Sequence, residues 1–149
     1  MTAPRHREFA CAIIIDTHGR FLLQQREDVP GILFPGKIGL FGGHREGSET
    51  FLQCVVREVG EEVSYVVPPE RFEHMESFRG ADIEIEGGTI RGECYVVRDV
   101  PVDVITVTEG SLFIAAPEDM PMLIQRLTPW AQAAIGLFLN NARRVQISN

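Results

Sequence analysis

One amphipathic helix constrains the fold of this chain more than any other feature. After Ser48 the apolar residues recur at spacings of three and four, which places them on one stripe of a helix. They are Leu52, Val55, Val56, Val59 and Val63. Ser48 is predicted as the N-cap, and Glu49 as a first-turn carboxylate that the helix dipole favours. Pro68 and Pro69 forbid continuation, so the chain must supply an apolar surface on which this helix packs.

The first third of the chain has the pattern of strands. Residues 8–15, EFACAIII, form a short apolar run that ends in turn residues, which is typical of a buried strand. Residues 21–26 are predicted as its hairpin partner. Residues 37–41 are predicted as a short strand that ends at Gly42 and Gly43.

The second half is predicted to be rich in strands and to end in a helix. Strands are expected near 71–79, 82–86, 89–99 and 111–115, with a hairpin turn at Gly87 and Gly88. Residues 128–142 are predicted as a helix that Thr128 caps, with Pro129 at its first position. Its core-facing residues are expected to be Trp130, Ala134, Leu137 and Phe138. The pattern predicts the α+β class, a mixed sheet with helices packed on it.

Composition bounds the size and the partners of the chain. Its 149 residues, 44% of them hydrophobic, suit a single domain over 1–149 with a real core. The net charge of −7 argues against a basic nucleic-acid surface but not against an anionic substrate, because a bound cation reverses the local field. Thirteen of the fourteen basic residues are Arg, which suits phosphate chemistry; a GC-rich coding sequence would give the same bias.

Cysteine usage and hydropathy predict a cytoplasmic protein. Cys11, Cys54 and Cys94 are far apart and form no Cys-x-x-Cys pair, so neither a disulfide framework nor a zinc site is indicated. We find no signal-peptide pattern and no apolar run near the 18 residues that a membrane helix needs. We therefore expect no association with a membrane.

Three glutamates on the first helix stand out as a candidate cation site. Glu58, Glu61 and Glu62 lie at i, i+3 and i+4, so they share one face and repel one another. Gly60 costs about a further 1 kcal/mol relative to Ala within a helix. A hard divalent cation such as Mg²⁺ would turn this repulsion into ligation, and Arg57 can reach Glu61 on the next turn. Taken alone, the three glutamates fit a solvated acidic face better than a cation site.

A longer string around these glutamates resembles the signature of the Nudix hydrolases. That signature is Gly, five residues, Glu, seven residues, then Arg-Glu-apolar-x-Glu-Glu-x-Gly-apolar. The matching positions are Gly43, Glu49, Arg57, Glu58, Val59, Glu61, Glu62 and Tyr65. Ser64 departs from the family, which has Gly there. Because that Gly ends the helix in a left-handed conformation, the departure concerns helix termination rather than chemistry.

The resemblance implies a fold and an activity. It implies an α/β/α sandwich and a hydrolase that acts on acid anhydrides, in which water attacks a diphosphate linkage of a nucleoside diphosphate joined to another group. The implied cofactor is Mg²⁺ or Mn²⁺, and the implied partner is a phosphorylated small molecule, in most cases a nucleotide. It also leaves a homodimer open. A Nudix domain that binds a nucleotide without cleaving it is the alternative.

The resemblance also assigns roles at the motif positions. Glu58, Glu62 and Glu61 are expected metal ligands, with the backbone carbonyl of Gly43 as a further one. Glu58 or a neighbouring carboxylate is the expected base, which makes Glu58, Glu61 and Arg57 the catalytic candidates. Arg57 is expected to orient the carboxylates by charge-assisted hydrogen bonds. Glu49 is expected to support the loop and helix, with contact to the metal as the alternative.

Further candidates lie outside the signature. Many family members add an acidic residue from a later loop, for which Glu109 is the first candidate and Glu93 the second; a turn residue is the alternative reading of Glu109. Four residues are candidates for substrate binding: Arg26, Lys37, Arg45 and Glu109. Solvated surface charges are the competing reading for the three cations. His44 is a candidate neighbour of the substrate, and His74 is read as structural. Four aromatic residues could stack on a base or belong to the core: Phe34, Phe41, Phe78 and Trp130.

The signature does not select the substrate. We find no accessory motif for ADP-ribose, dinucleoside polyphosphates, nucleotide sugars, oxidised nucleotides or RNA caps. A nucleoside triphosphate and a nucleotide sugar remain equal expectations.

Overall fold

The computed structural model describes residues 5–148 and contains one mixed β-sheet. Strand β1 is central: it pairs antiparallel with β2 and β4 along one edge and parallel with β6 along the other. Strand β5 pairs with β6, while β3 and β7 pair with β2, all antiparallel. The strands are β1 His6–Asp16, β2 Phe21–Gln25, β3 Ile38–Gly39, β4 Phe41–His44, β5 Glu73–Ala81, β6 Thr89–Val100 and β7 Ser111–Ala115.

Helices cover both faces of this sheet. Helix α1, Phe51–Val63, packs on one face, where Val55 and Val59 are fully buried beside Ala10 and Phe41 of the sheet. The short helix α2, Met120–Leu123, and helix α3, Pro129–Ser148, pack on the other face. The predicted α+β class and the sandwich are confirmed. Within the described residues, no helix is long and apolar enough to cross a membrane.

The start of α1 differs from the prediction. Thr50 is the N-cap, and it forms a capping box: its hydroxyl accepts from the Gln53 backbone N–H, while the Gln53 side chain accepts from the Thr50 N–H. The predicted cap at Ser48 is therefore wrong, and Glu49 precedes the helix instead of lying in its first turn. At the other end, Ser64 adopts the left-handed conformation expected for the family Gly, with φ of 53°.

Two predicted strands also differ from the structure. Residues 37–41 divide into β3 and β4, and Gly42 and Gly43 lie inside β4. Residues 82–86 form a loop between β5 and β6, so the strand predicted there is wrong. The reason is Asp82: its side chain accepts the Glu84 backbone N–H and turns the chain, although the alternating sequence has the period of a strand.

Helix α3 confirms the predicted C-terminal helix and extends it to Ser148. Ala134 is buried, and Phe138 packs against the same core cluster, as predicted. Leu137 is half-buried. Trp130 is half-buried as well, and its ring packs against Phe9 and Phe78 at the first turn of the helix.

Candidate functional site

Within the signature, the side chain of Glu58 in α1 packs directly against Gly43 of β4. A Cβ atom on residue 43 would lie 2.4 Å from the Glu58 carboxylate carbon and 2.6 and 2.7 Å from its oxygens. Only a glycine therefore leaves room for the carboxylate at this place. The Gly43 carbonyl also accepts a hydrogen bond from the Cys54 thiol at 3.5 Å.

Glu62 lies one turn further along the same helix and is buried, with 7% of its surface exposed. Its Oε1 accepts the Gly42 backbone N–H at 3.0 Å, and its Oε2 lies 3.4 Å from the Gln24 amide. Burial raises the pKa of Glu62 to about 8, against the lowering effect of the Gly42 N–H. The charges of Glu58 and Glu109 raise this pKa further, so the site concentrates negative charge in a poorly solvated place.

Arg57 connects the acidic residues at the start of the signature. Its guanidinium donates to both carboxylate oxygens of Glu49, at 2.7 and 3.1 Å, and to Glu58 at 2.9 Å. The hydrogen bond from Arg57, with a second from the Glu46 backbone, lowers the pKa of Glu49 to about 2. Arg57 thus hydrogen-bonds Glu49 and Glu58 at once; its role in orienting Glu58 stays a prediction.

The remaining predicted ligand, Glu61, lies away from this pair. Its side chain is 62% exposed and faces Arg57, with 3.6 Å between the charged atoms. In the part of the chain that the structure describes, no three His, Cys, Asp or Glu side chains stand close enough together to hold a metal ion. The structure therefore brings together Glu58, Glu62 and Gly43, and leaves Glu61 at the surface.

Glu109 lies beside the end of α1. The Thr108 backbone N–H donates to the Glu62 carbonyl at 2.9 Å, and the Gln24 amide donates to the Glu109 carbonyl at 3.1 Å. The Glu109 side chain is exposed, and its charge acts on Glu62. Glu93, the second candidate, accepts instead from His74, at 2.8 Å, and from Ser77.

A cleft of about 280 Å³ opens on the α3 side of the sheet, directly beside Gly43. Three aromatic residues line it: Phe9, Phe34 and Trp130. His44 lines it as well, and burial with the nearby Arg7 and Arg5 charges lowers the pKa of His44. Phe41 is fully buried in the core, whereas Phe78 is half-buried and contacts the ring of Trp130.

The predicted phosphate-binding cations lie in different places. Arg26 lines the cleft, and its Nε donates to the Leu33 carbonyl at 2.8 Å. Lys37 donates to the Gln125 carbonyl at 2.9 Å, and Arg45 pairs with Glu8 at 2.6 Å. Of these three cations, only Arg26 is part of the cleft lining.

Nothing in the sequence pattern indicates the charged network that forms one wall of the cleft. Arg7 forms a bidentate pair with buried Asp82, at 2.7 and 2.9 Å, and contacts Glu84 at 3.2 Å. Asp82 accepts the Trp130 indole N–H at 3.1 Å, and Glu84 accepts the Trp130 backbone N–H, also at 3.1 Å. Arg7 and Asp82 are 75 residues apart, and no pattern of neighbouring residues in the sequence indicates such a pair.

Solved structures of known proteins share this fold. The chain is similar to a MutT NUDIX hydrolase from Burkholderia pseudomallei (24% identity, TM-score 0.69, 89% of this chain and 98% of that one). It is similar to the MutT protein from Methanosarcina mazei Go1 (17%, 0.78, 95% and 99%). A third is a bifunctional NMN adenylyltransferase/ADP ribose pyrophosphatase from Francisella tularensis, complexed with AMP and a Mn ion (18%, 0.71, 95% and 43%).

At these identities the similar structures show the fold. No curated protein matches the sequence significantly. The family model described as the NUDIX domain matches residues 4–118, which is most of the chain and includes the whole signature. The chain belongs to the Nudix hydrolase family.

Proposed function

We propose that this protein is a divalent-cation-dependent hydrolase that cleaves a diphosphate linkage in a nucleotide, and that residues 1–149 act as one cytoplasmic domain. The observation that carries the proposal is the position of Glu58 against Gly43, with buried Glu62 beside it. Two carboxylates confined in this way are costly without a proton or a cation between them. Among the similar proteins, the one from Francisella holds AMP and a Mn ion, which supports this ligand chemistry.

The donor set suits Mg²⁺ or Mn²⁺, because both prefer oxygen ligands. Glu58, Glu62 and the Gly43 carbonyl would hold the cation, and the exposed carboxylates of Glu61 and Glu109 are free to approach it. A bound cation supplies charge neutralisation at phosphorus and lowers the pKa of bound water. Within the described residues, Glu58 and Glu62 have no third His, Cys, Asp or Glu side chain close enough to share a cation, so we expect Glu61 or Glu109 to complete the coordination.

The protein's own side chains orient the reacting groups and bind the phosphates. Arg57 holds Glu58 in one orientation, which positions a carboxylate as metal ligand or as base for the attacking water. Arg26 in the cleft lining offers a cation to the phosphate groups. Water attacks phosphorus, the bridging P–O bond breaks, and the leaving phosphate departs with the bond electrons.

Product release from a panel of diphosphate compounds tests this proposal. Wild type should release nucleotide or phosphate with Mg²⁺ or Mn²⁺ and lose this activity with EDTA. Glu58→Gln and Glu62→Gln should each lower kcat at least about a hundredfold, because they remove charge at the reacting centre. Glu118→Gln, an exposed glutamate outside the site, is the matched control. Undiminished turnover in both site variants would contradict the assignment, and tight binding without product over hours would indicate the sensor alternative.

A further inference from the structure

Gln24 is a buried polar residue of strand β2 that lies between Glu62 and the loop that carries Glu109. We propose that Gln24 is a positioning residue for the cation site: its amide holds the Glu62 carboxylate and the Glu109 loop, residues 108–110, in a fixed relation to each other. This inference rests on the proposed function, because it concerns the same site.

The core of the sheet does not need a glutamine at this position. Gln24 is 6% exposed, and it shares the α1 face of the sheet with Leu22, because alternate residues of a strand point to the same side. An apolar side chain would fill this place without any hydrogen-bond partner, whereas a buried amide is costly unless it is paired. The partners of the amide therefore indicate its role.

The Gln24 amide nitrogen has two acceptors, the Glu109 carbonyl at 3.1 Å and Glu62 Oε2 at 3.4 Å. Because a backbone carbonyl can only accept, the nitrogen of the amide faces it, and the second N–H is left for Glu62. Glu62 Oε1 accepts the Gly42 N–H at 3.0 Å. Each oxygen of Glu62 thus meets one donor, which fixes the carboxylate and leaves lone pairs for a cation.

The Glu109 loop is anchored on both sides of this amide. The Thr108 N–H donates to the Glu62 carbonyl at 2.9 Å, one of the carbonyls that the end of a helix leaves unpaired. Gly110, with φ of 68°, lies so close to β2 that a Cβ there would overlap the Gln25 carbonyl oxygen. These contacts place the backbone of the loop, and the Gln24 side chain joins that backbone to the Glu62 carboxylate.

The same amide borders a small cavity of about 180 Å³, which Glu109 and Arg26 also line. Arg26 is the candidate phosphate contact that lines the neighbouring cleft. Gln24 therefore lies between the predicted metal ligands and this guanidinium. A neutral amide holds the acidic groups there without adding a charge of its own.

The affinity for Mn²⁺, measured by electron paramagnetic resonance of the free ion, tests this role. Gln24→Met keeps the size of the side chain and removes the amide, so it should raise the Kd at least about tenfold, the lower range for partners of metal ligands. Gln25→Met is the matched control, because the Gln25 amide donates to the Gly36 carbonyl instead, at 2.8 Å. It should leave the Kd unchanged. An equal Kd in Gln24→Met and wild type would overturn the proposal.

Hydrogen exchange without metal separates positioning from a packing role. In EDTA the amides of the Glu109 loop should exchange faster in Gln24→Met than in wild type, while those of the central strand β1 keep their rates. Equal rates in the loop, or faster exchange throughout the sheet, would contradict the role. If Gln24→Met does not fold, Gln24→Asn takes its place, because this shorter amide cannot reach both acceptors.

The two proposals fail separately. Mn²⁺ binding that depends on Gln24, without hydrolysis of any diphosphate compound, would refute the enzyme and leave the positioning role standing. Metal-dependent hydrolysis with an unchanged Kd for Mn²⁺ in Gln24→Met would do the reverse.

Discussion

Glu58 stands so close to Gly43 that a single added methyl group at residue 43 would occupy the place of its carboxylate, 2.4 Å from the carboxylate carbon. Helix α1 and strand β4 therefore pack tightly against each other at the Cα atom of residue 43. The Nudix signature spans both elements. It therefore specifies this contact between Glu58 and Gly43 as well as a set of candidate metal ligands.

Gly43→Ala should abolish most activity. The new Cβ must displace the Glu58 carboxylate, and because that carboxylate is the far end of a flexible side chain we expect the displacement to cost little stability. We expect kcat/KM to fall at least about tenfold, since a small misplacement of a catalytic group is enough for that.

Gly60→Ala is the matched control, because no atom lies within 4 Å of a Cβ there. It should keep wild-type activity and gain up to about 1 kcal/mol, the helix propensity difference. Steady-state kinetics and urea unfolding measure both variants. Wild-type kinetics in Gly43→Ala would mean that the contact is not required.

Arg57→Lys should impair catalysis while leaving the fold intact. A lysine ammonium cannot make the fork that joins Glu49 to Glu58. We expect kcat/KM to fall about 10–100-fold, the range for residues that orient metal ligands. Arg98→Lys, which changes a surface pair with Glu73 at 3.7 Å, is the control. Equal activity in Arg57→Lys and the control would remove the orienting role.

Ser64→Gly should stabilise the protein. Ser64 has φ of 53°, a left-handed conformation that Gly adopts at no steric cost. We expect about 0.5–1 kcal/mol higher free energy of unfolding, from urea titration. Ser111→Gly, within strand β7, should lower it instead. A loss of stability in Ser64→Gly would show that the serine side chain itself holds the helix end.

Asp82 should make stability depend on pH in the acid range. Burial alone would raise the pKa of Asp82, but its hydrogen bonds from Arg7, the Glu84 backbone and the Trp130 indole outweigh burial and lower it. The stabilisation is therefore complete above the unfolded-state pKa of about 3.9. It is lost as the pH falls through the folded-state value.

Asp82→Asn tests this by urea unfolding at pH 7 and at pH 3. At pH 7 it should cost about 1.5–3 kcal/mol, because Arg7 loses the charge-assisted bonds to Asp82 but keeps its pair with Glu84. The difference between wild type and Asp82→Asn should shrink at pH 3, since the other carboxylates are common to both. An equal difference at both pH values would contradict the linkage.

Local periodicity predicted α1 well, because a helix stripe is read within one segment. The N-cap was harder: Ser48 and Thr50 are both good capping residues, and the reciprocal bond of Gln53 decides for Thr50. The helical spacing also placed Glu58 and Glu62 correctly on one face, but it could not show that the Glu61 side chain lies exposed beside Arg57.

Contacts between residues that are far apart in the chain could not be predicted from the sequence. The alternation at 82–86 has the period of a strand, yet Asp82 turns inward to Arg7, 75 residues away. The same contact fixes Trp130, which a helical pattern assigns to the core. The family resemblance offers Glu109 only as a candidate, and its place beside Glu62 depends on hydrogen bonds from its loop to the end of α1.

The measurement that tests the central claim most directly is Mn²⁺ binding, followed by the loss of the free-ion signal in electron paramagnetic resonance. Wild type should bind Mn²⁺ stoichiometrically, and the double variant Glu58→Gln/Glu62→Gln should not bind at the same concentrations. Glu118→Gln should behave as wild type. Equal binding by the double variant and wild type would contradict the claim that Glu58 and Glu62 hold the catalytic cation.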